Sequence, residues 1–302
     1  MRSLWPRPLR PGDTVALVAC SGPVDPEALE TGVAVLESWG LRVRLGSTVH
    51  THHPHLPYLA ATDTARARDF CDAWLDPRVA AVLAARGGYG AHRMVDLVDW
   101  SALRRATPVL FAGSSDATAL HEAVATHVGT PTVLASMPAT SLFDPVAAER
   151  LRAALFAPEK PRRLPSPAAE TLRGGRARGR LVGGNLSVLA AGIGTGESRP
   201  AHNGIVVLED VDEEPYRLDR LLTQLLRSGW FDEAAGLALG SWTGCGPDHV
   251  VRAVLWDRLG PLGVPMAWRL DFGHHPGSLA VPLGVAAEFD ADTGTLTFPP
   301  TS

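Results

Sequence analysis

"TPVLFAGSSDATALHEAVATH", residues 107–127, is the stretch on which the fold turns. Thr107–Gly113 is a short apolar run closed by a glycine, as in a buried strand, and Ala117–His127 carries helical spacing. Ser114, Ser115 and Asp116 fill the junction. In an open α/β sheet, ligands gather at the carboxyl ends of strands, where the next helix presents unpaired N–H groups and a partial positive charge. A serine placed there fits two roles. It can cap the helix, or it can act as a nucleophile whose oxyanion the N–H groups stabilise. Gly113-Ser114-Ser115-Asp116-Ala117 is not the strict G-x-S-x-G elbow, because alanine holds the last position, so this stretch alone leaves both roles open.

The same alternation extends outward through the first half. "DTVALVACSG" (13–22), "LRVRLG" (41–46) and "VAAVLAAR" (79–86) have the look of strands. "DPEALETGVAVLESWG" (25–40), "DTARARDFCDAWLD" (63–76) and "GAHRMVDLVDW" (90–100) carry helical spacing. The pattern predicts an α/β domain over residues 1–155, a parallel sheet joined by right-handed crossovers. The Pro- and Arg-rich stretch 156–178 reads as a linker. Beyond it, 179–302 shows a buried-looking strand "GIVVLED" (204–210), a helix "YRLDRLLTQLLRSG" (216–229), a strand "AAGLALGSW" (234–242), a helix near 248–259 and a strand-rich tail. This predicts a second, mixed α/β domain with a curved, barrel-like sheet.

Composition narrows the partners. With 302 residues, 45% hydrophobic and 20% charged, the chain has the material for two packed cores. A net charge of −4 and no basic block argue against nucleic acid. Cys20, Cys71 and Cys245 have no paired spacing, so neither a disulfide framework nor a zinc site is indicated. Prolines and Asp13 interrupt the amino-terminal approach to "LVAC", and the apolar run is too short for a signal core. With no apolar stretch of membrane-spanning length either, a cytoplasmic location is expected and no membrane partner.

Several residues invite chemistry. In "AARGGYGAHR" (84–93), Gly87 and Gly88 could aim N–H groups at a carbonyl oxygen, or simply make a βα turn. The spacing is not G-x-G-x-x-G, which weakens a dinucleotide reading. A serine nucleophile needs a base and an orienting partner. His52, His53 and His55 lie in a Pro-rich loop without a neighbouring carboxylate, a poor metal set. His121 and His127 fall on the helix after Ser115 as packing or surface residues. His274 and His275 follow a glycine at the end of an apolar strand, and Glu209 ends "IVVLE" in the same way. A carboxylate at the end of a buried strand calls for a partner.

Taken in order, "GDTVALVACSGPV", "ARGGYGAHRMVDLVDW", "GSSDATALH", "GRLVGGNLSVL", "VLEDVDEEPYRLDRLLTQL" and "GHHPGSLAVPLG" resemble the LD-carboxypeptidase family of serine peptidases, which includes muramoyl-tetrapeptide carboxypeptidases and microcin C immunity-type enzymes. The six motifs span nearly the whole chain. The resemblance implies Ser115 as nucleophile, Glu209 and His274 as its partners, and the backbone N–H groups of Gly88 and Asp116 as the oxyanion hole. Gly87, Tyr89, Ser114 and Asn185 would then line the substrate site, in a cleft between the domains. No metal or other cofactor is implied. The implied substrate is a murein peptide that loses its terminal D-alanine during cell-wall recycling, and a homodimer is common in that family. Three departures stand out: Ser114 replaces an aromatic residue, Ala135-Ser136-Met137-Pro138 replaces a His-Gly-Pro element, and His275 is an extra histidine. Two other readings follow. One is a self-immunity or detoxification peptidase acting on an aminoacyl-nucleotide or peptide antibiotic, against which "GESRPAHNG" lacks the aromatic that such relatives carry. The other is a catalytically silent binding relative using the same residues.

Overall fold

A computed structural model describes residues 5–157 and 162–298, which divide into two compact units. The first unit holds residues 5–157 together with 276–282, and the second holds 162–275 and 283–298.

In the first unit the chain alternates as its pattern predicts: β1 (Thr14–Val18), α1 (Pro26–Ser38), β2 (Arg42–Leu45), α2 (Asp63–Leu75), β3 (Val79–Ala84), α3 (Ala91–Val95), α4 (Trp100–Arg105), β4 (Leu110–Gly113), α5 (Thr118–His127), β5 (Thr132–Leu134) and α6 (Pro145–Phe156). β1 runs parallel to β2 and β3, β3 to β4, and β4 to β5. β3 and β4 are buried along their whole length, which is why they read as unbroken apolar runs. Aspartates cap α1 and α6: Asp25 accepts Ala28 N–H at 2.9 Å, and Asp144 accepts Val146 and Ala147 N–H. Residues 90–100, expected as one helix, form two. Asp99 caps the second by accepting Ala102 N–H at 2.9 Å, which ends the first turn at 95.

The second unit carries β6 (Arg162–Pro165), β7 (Glu170–Arg173), β8 (Arg176–Asn185), α7 (Leu186–Ala191), β9 (Gly204–Val211), α8 (Pro215–Arg227), β10 (Gly236–Thr243), α9 (Asp248–Leu259) and β11 (Met266–Trp268). After β12 (Val281–Leu283), which belongs to the first sheet, come β13 (Ala286–Asp290) and β14 (Thr295–Phe298). Among the described residues the first sheet runs β12-β5-β4-β3-β1-β2, and the second runs β6-β14-β13-β8-β9-β10-β11-β7. β8 to β11 are parallel, with antiparallel strands on either side. β6 and β7 stand at opposite ends, so among the described residues the sheet is open and mixed. Both of these strands come from the Pro- and Arg-rich stretch read as a linker. Leu218, Leu222 and Leu225 of α8 are fully buried at helical spacing, within a core shared with Val206, Leu208 and Leu237. Among the described residues no helix is long and apolar enough to cross a membrane.

Candidate active site

Ser115 sits where β4 gives way to α5, in a 3₁₀ turn at Ser115–Ala117, with φ +59°. A left-handed conformation costs a residue with a Cβ about 1 kcal/mol and persists only where its surroundings fix it. The residue thus stands at a strand-to-helix turn, between β4 and α5. Capping does not account for Ser114. Ser114 makes no side-chain cap bond, and neither does Ala117 at the start of α5.

Gly87 is the immediate neighbour. A Cβ there would lie 2.8 Å from Ser115 Cβ and 2.9 Å from Ser115 Oγ, so only glycine fits. Its carbonyl accepts Gly22 N–H at 3.2 Å and Arg86 Nε–H at 3.1 Å, which pins the loop. Gly88 follows with φ +117°, and among the described residues its N–H donates to no acceptor in the protein. Tyr89 is exposed and edge-on to Tyr58, ring centres 5.8 Å apart. Asp116 has a role that sequence reading missed. Its buried Oδ2 accepts Ser21 Oγ–H at 2.6 Å and Ala91 N–H at 2.7 Å, so it caps α3 rather than its own helix. Burial raises its carboxyl above the usual range. Arg66, wholly buried, completes the frame by donating to the carbonyls of Gly90 at 2.8 Å and Ala61 at 3.3 Å. No local pattern announces the bonds of Ser21 to Asp116 and of Arg66 to Gly90, because these partners are distant in sequence.

The second unit holds the basic half. Glu209 on β9 is fully buried, and its Oε2 accepts His274 Nδ1–H at 2.6 Å. That leaves His274 Nε2 outside this bond. Burial alone would lower the imidazole, but the hydrogen bond and charge of Glu209 outweigh it and hold His274 above the ordinary histidine range. Gly273, at φ +111°, allows this approach: a Cβ there would meet Ser241 Oγ at 2.4 Å and Glu209 Oε2 at 2.9 Å. His275 faces elsewhere, with Nε2 3.7 Å from Asp271 Oδ1. Asn185, at the end of β8, donates to Glu209 Oε1 at 3.2 Å and to Asp210 Oδ1 at 2.9 Å, while its Oδ1 caps α7 through Val188 N–H. Burial first, and then the charge of Glu209, push Asp210 up to about 6. The structure therefore gives Asn185, expected to contact substrate, a bond to the Glu209 carboxylate.

His53 Nδ1 is taken by the backbone N–H groups of His55 and Leu56, and among the described residues no group of three or more ligating side chains could hold a metal ion. Ala135 and Met137, of the departing 135–138 element, are buried beside the Ser115 turn: Ala135 N–H donates to Gly113 O at 3.0 Å, and Met137 Cε lies 3.4 Å from where a Gly87 Cβ would be.

Two family models match this chain, the LD-carboxypeptidase N-terminal domain over residues 15–135 and its C-terminal domain over 178–289. The murein tetrapeptide carboxypeptidase of Pseudomonas aeruginosa is 32% identical over 299 residues, covering 92% of this chain and 93% of that protein. The chain belongs to the LD-carboxypeptidase family. A relative from Streptomyces coelicolor is 53% identical over 295 residues, 97% of this chain and 95% of its own. Among solved structures, the muramoyltetrapeptide carboxypeptidase of Oxalobacter formigenes superposes with a TM-score of 0.81 at 27% identity, covering 94% of this chain and 97% of that one. An MccF-like protein of Bacillus anthracis shares the fold with a TM-score of 0.89 at 21% identity, covering 98% and 99%. This LD-carboxypeptidase is thus a serine-type hydrolase with two mixed α/β units.

Proposed function

We propose that this LD-carboxypeptidase removes the terminal D-alanine from a murein tetrapeptide, with Ser115, Glu209 and His274 as its triad. The observation that carries the reading is the 2.6 Å bond from His274 Nδ1–H to the buried Glu209, which fixes the tautomer a general base needs. His274 Nε2 takes the proton of Ser115, whose Oγ attacks the carbonyl on the L-configured side of the scissile bond. The N–H groups of Gly88 and Asp116 stabilise the oxyanion, and His274 hands its proton to the departing D-alanine. Water, activated by the same imidazole, then hydrolyses the acyl-enzyme. The names of the Pseudomonas and Oxalobacter relatives support this substrate class.

Purified protein incubated with a murein tetrapeptide is expected to release D-alanine, and a serine-directed phosphonate is expected to label Ser115. Labelling without D-alanine release would overturn the substrate. No label on Ser115 would overturn the nucleophile and favour the silent binding relative.

A further inference from the structure

We propose that His121, one turn into α5, is a positioning residue that holds the backbone of the nucleophile turn through the carbonyl of Gly113. The inference rests on Ser115 being the nucleophile and adds a residue to that site. His121 is buried, and both ring nitrogens are engaged. Nε2 lies 3.0 Å from Gly113 O and Nδ1 lies 2.8 Å from Thr132 Oγ1. A backbone carbonyl only accepts, so Nε2 carries the proton, and Nδ1 is left bare to accept a hydrogen bond from the Thr132 hydroxyl. The network therefore selects one neutral tautomer. Burial, lowering the imidazole to about 4, keeps it in that form at neutral pH.

Gly113 O heads the peptide that leads into Ser114, which is extended at φ −151°, and then into Ser115 at φ +59°. A left-handed residue with a Cβ relaxes unless its flanks are held. Downstream, Ala117 N–H binds Ser114 O at 3.1 Å, and the Asp116 carboxylate is anchored. Upstream, Gly113 O takes Ala135 N–H at 3.0 Å and His121 Nε2–H. His121 thus ties the end of β4 to β5 through one ring. Its effect on chemistry passes through Ser115, and it has no role in binding substrate.

The test uses the full-length protein and two substitutions that divide the imidazole's functions. His121→Gln keeps a donor near the Nε2 position, and His121→Asn keeps only the reach toward Thr132. Leu151→Ala, in the buried core of α6, serves as a control for stability. Measured below Tm, His121→Asn is expected to lower kcat and the rate of Ser115 phosphonylation at least tenfold with KM unchanged. His121→Gln should restore both to within about threefold of wild type, and Leu151→Ala should lose Tm while keeping both rates. If Gln and Asn reduce the rates equally, or only in step with Tm as the control does, His121 is core packing and the proposal falls. Phosphonylation needs no murein substrate, so a wild type that is labelled but releases no D-alanine overturns only the substrate reading. A wild type without an adduct on Ser115 overturns both.

Discussion

At the scale of single residues, the site depends on one absent methyl group and one committed nitrogen. A Cβ on Gly87 would collide with both Ser115 Cβ and Oγ, and displacing a nucleophile by an ångström costs about 100-fold in rate. Gly87→Ala is therefore expected to lose roughly that factor in kcat, with little change in Tm, read from D-alanine release beside a thermal melt. For the base, the pH profile is decisive. In the proposed mechanism His274 works as the neutral imidazole, and Glu209 holds it above the ordinary value of about 6.5. Activity is expected to fall as the pH drops through that raised value, so the acid limb of kcat/KM lies above 6.5. Glu209→Gln removes the raising charge, so the limb should move to lower pH while the rate falls. His274→Ala is expected to cost about three orders of magnitude or more, whereas His275→Ala, which leaves the bond to Glu209 intact, should cost little.

At the scale of elements, the ends of neighbouring strands carry the chemistry. β8 ends in Asn185 and β9 holds Glu209 and Asp210, so two carboxyls share one amide. Asp210, pushed up to about 6, keeps its proton in the native state at a pH where the unfolded chain has lost it. Its contribution to stability is present below about pH 4 and fades as the pH climbs through 6. Asp210→Asn should flatten that slope, measured as Tm at intervals from pH 4 to 7. Much of this arrangement is legible in sequence. Buried parallel strands announce themselves as apolar runs, and "IVVLE" places a carboxylate where a crevice belongs. Other parts are silent for physical reasons. β6 and β7 stand at the ends of their sheet, with "RRLP" and "ETLR" for sequence, too polar and too proline-bound to look like strands. Asp116 reads as the cap of its own helix until the fold brings Ser21 and Ala91 to it.

At the scale of the whole molecule, each unit is assembled from segments far apart in the chain. A protein truncated after residue 275 retains Ser115, Glu209 and His274 but lacks β12, β13 and β14. It is expected to show no cooperative melt and no phosphonate label on Ser115. A labelled, cooperatively melting fragment would show that these strands are dispensable. β12 sits at the edge of the first sheet beside β5, with Pro282 in the middle, a residue tolerated only on such an edge. Asp144 Oδ2 and Arg150 fasten the Gly277 peptide just ahead of it. This placement bears on synthesis at the ribosome. The first unit's β1 to β5 precede the second unit in the chain, yet its edge strand β12 follows residue 275. At ordinary elongation rates it waits on the order of ten seconds with β5 unpaired along one edge. Chaperone demand should therefore peak during translation of the second unit, when the first is almost finished but cannot close its sheet.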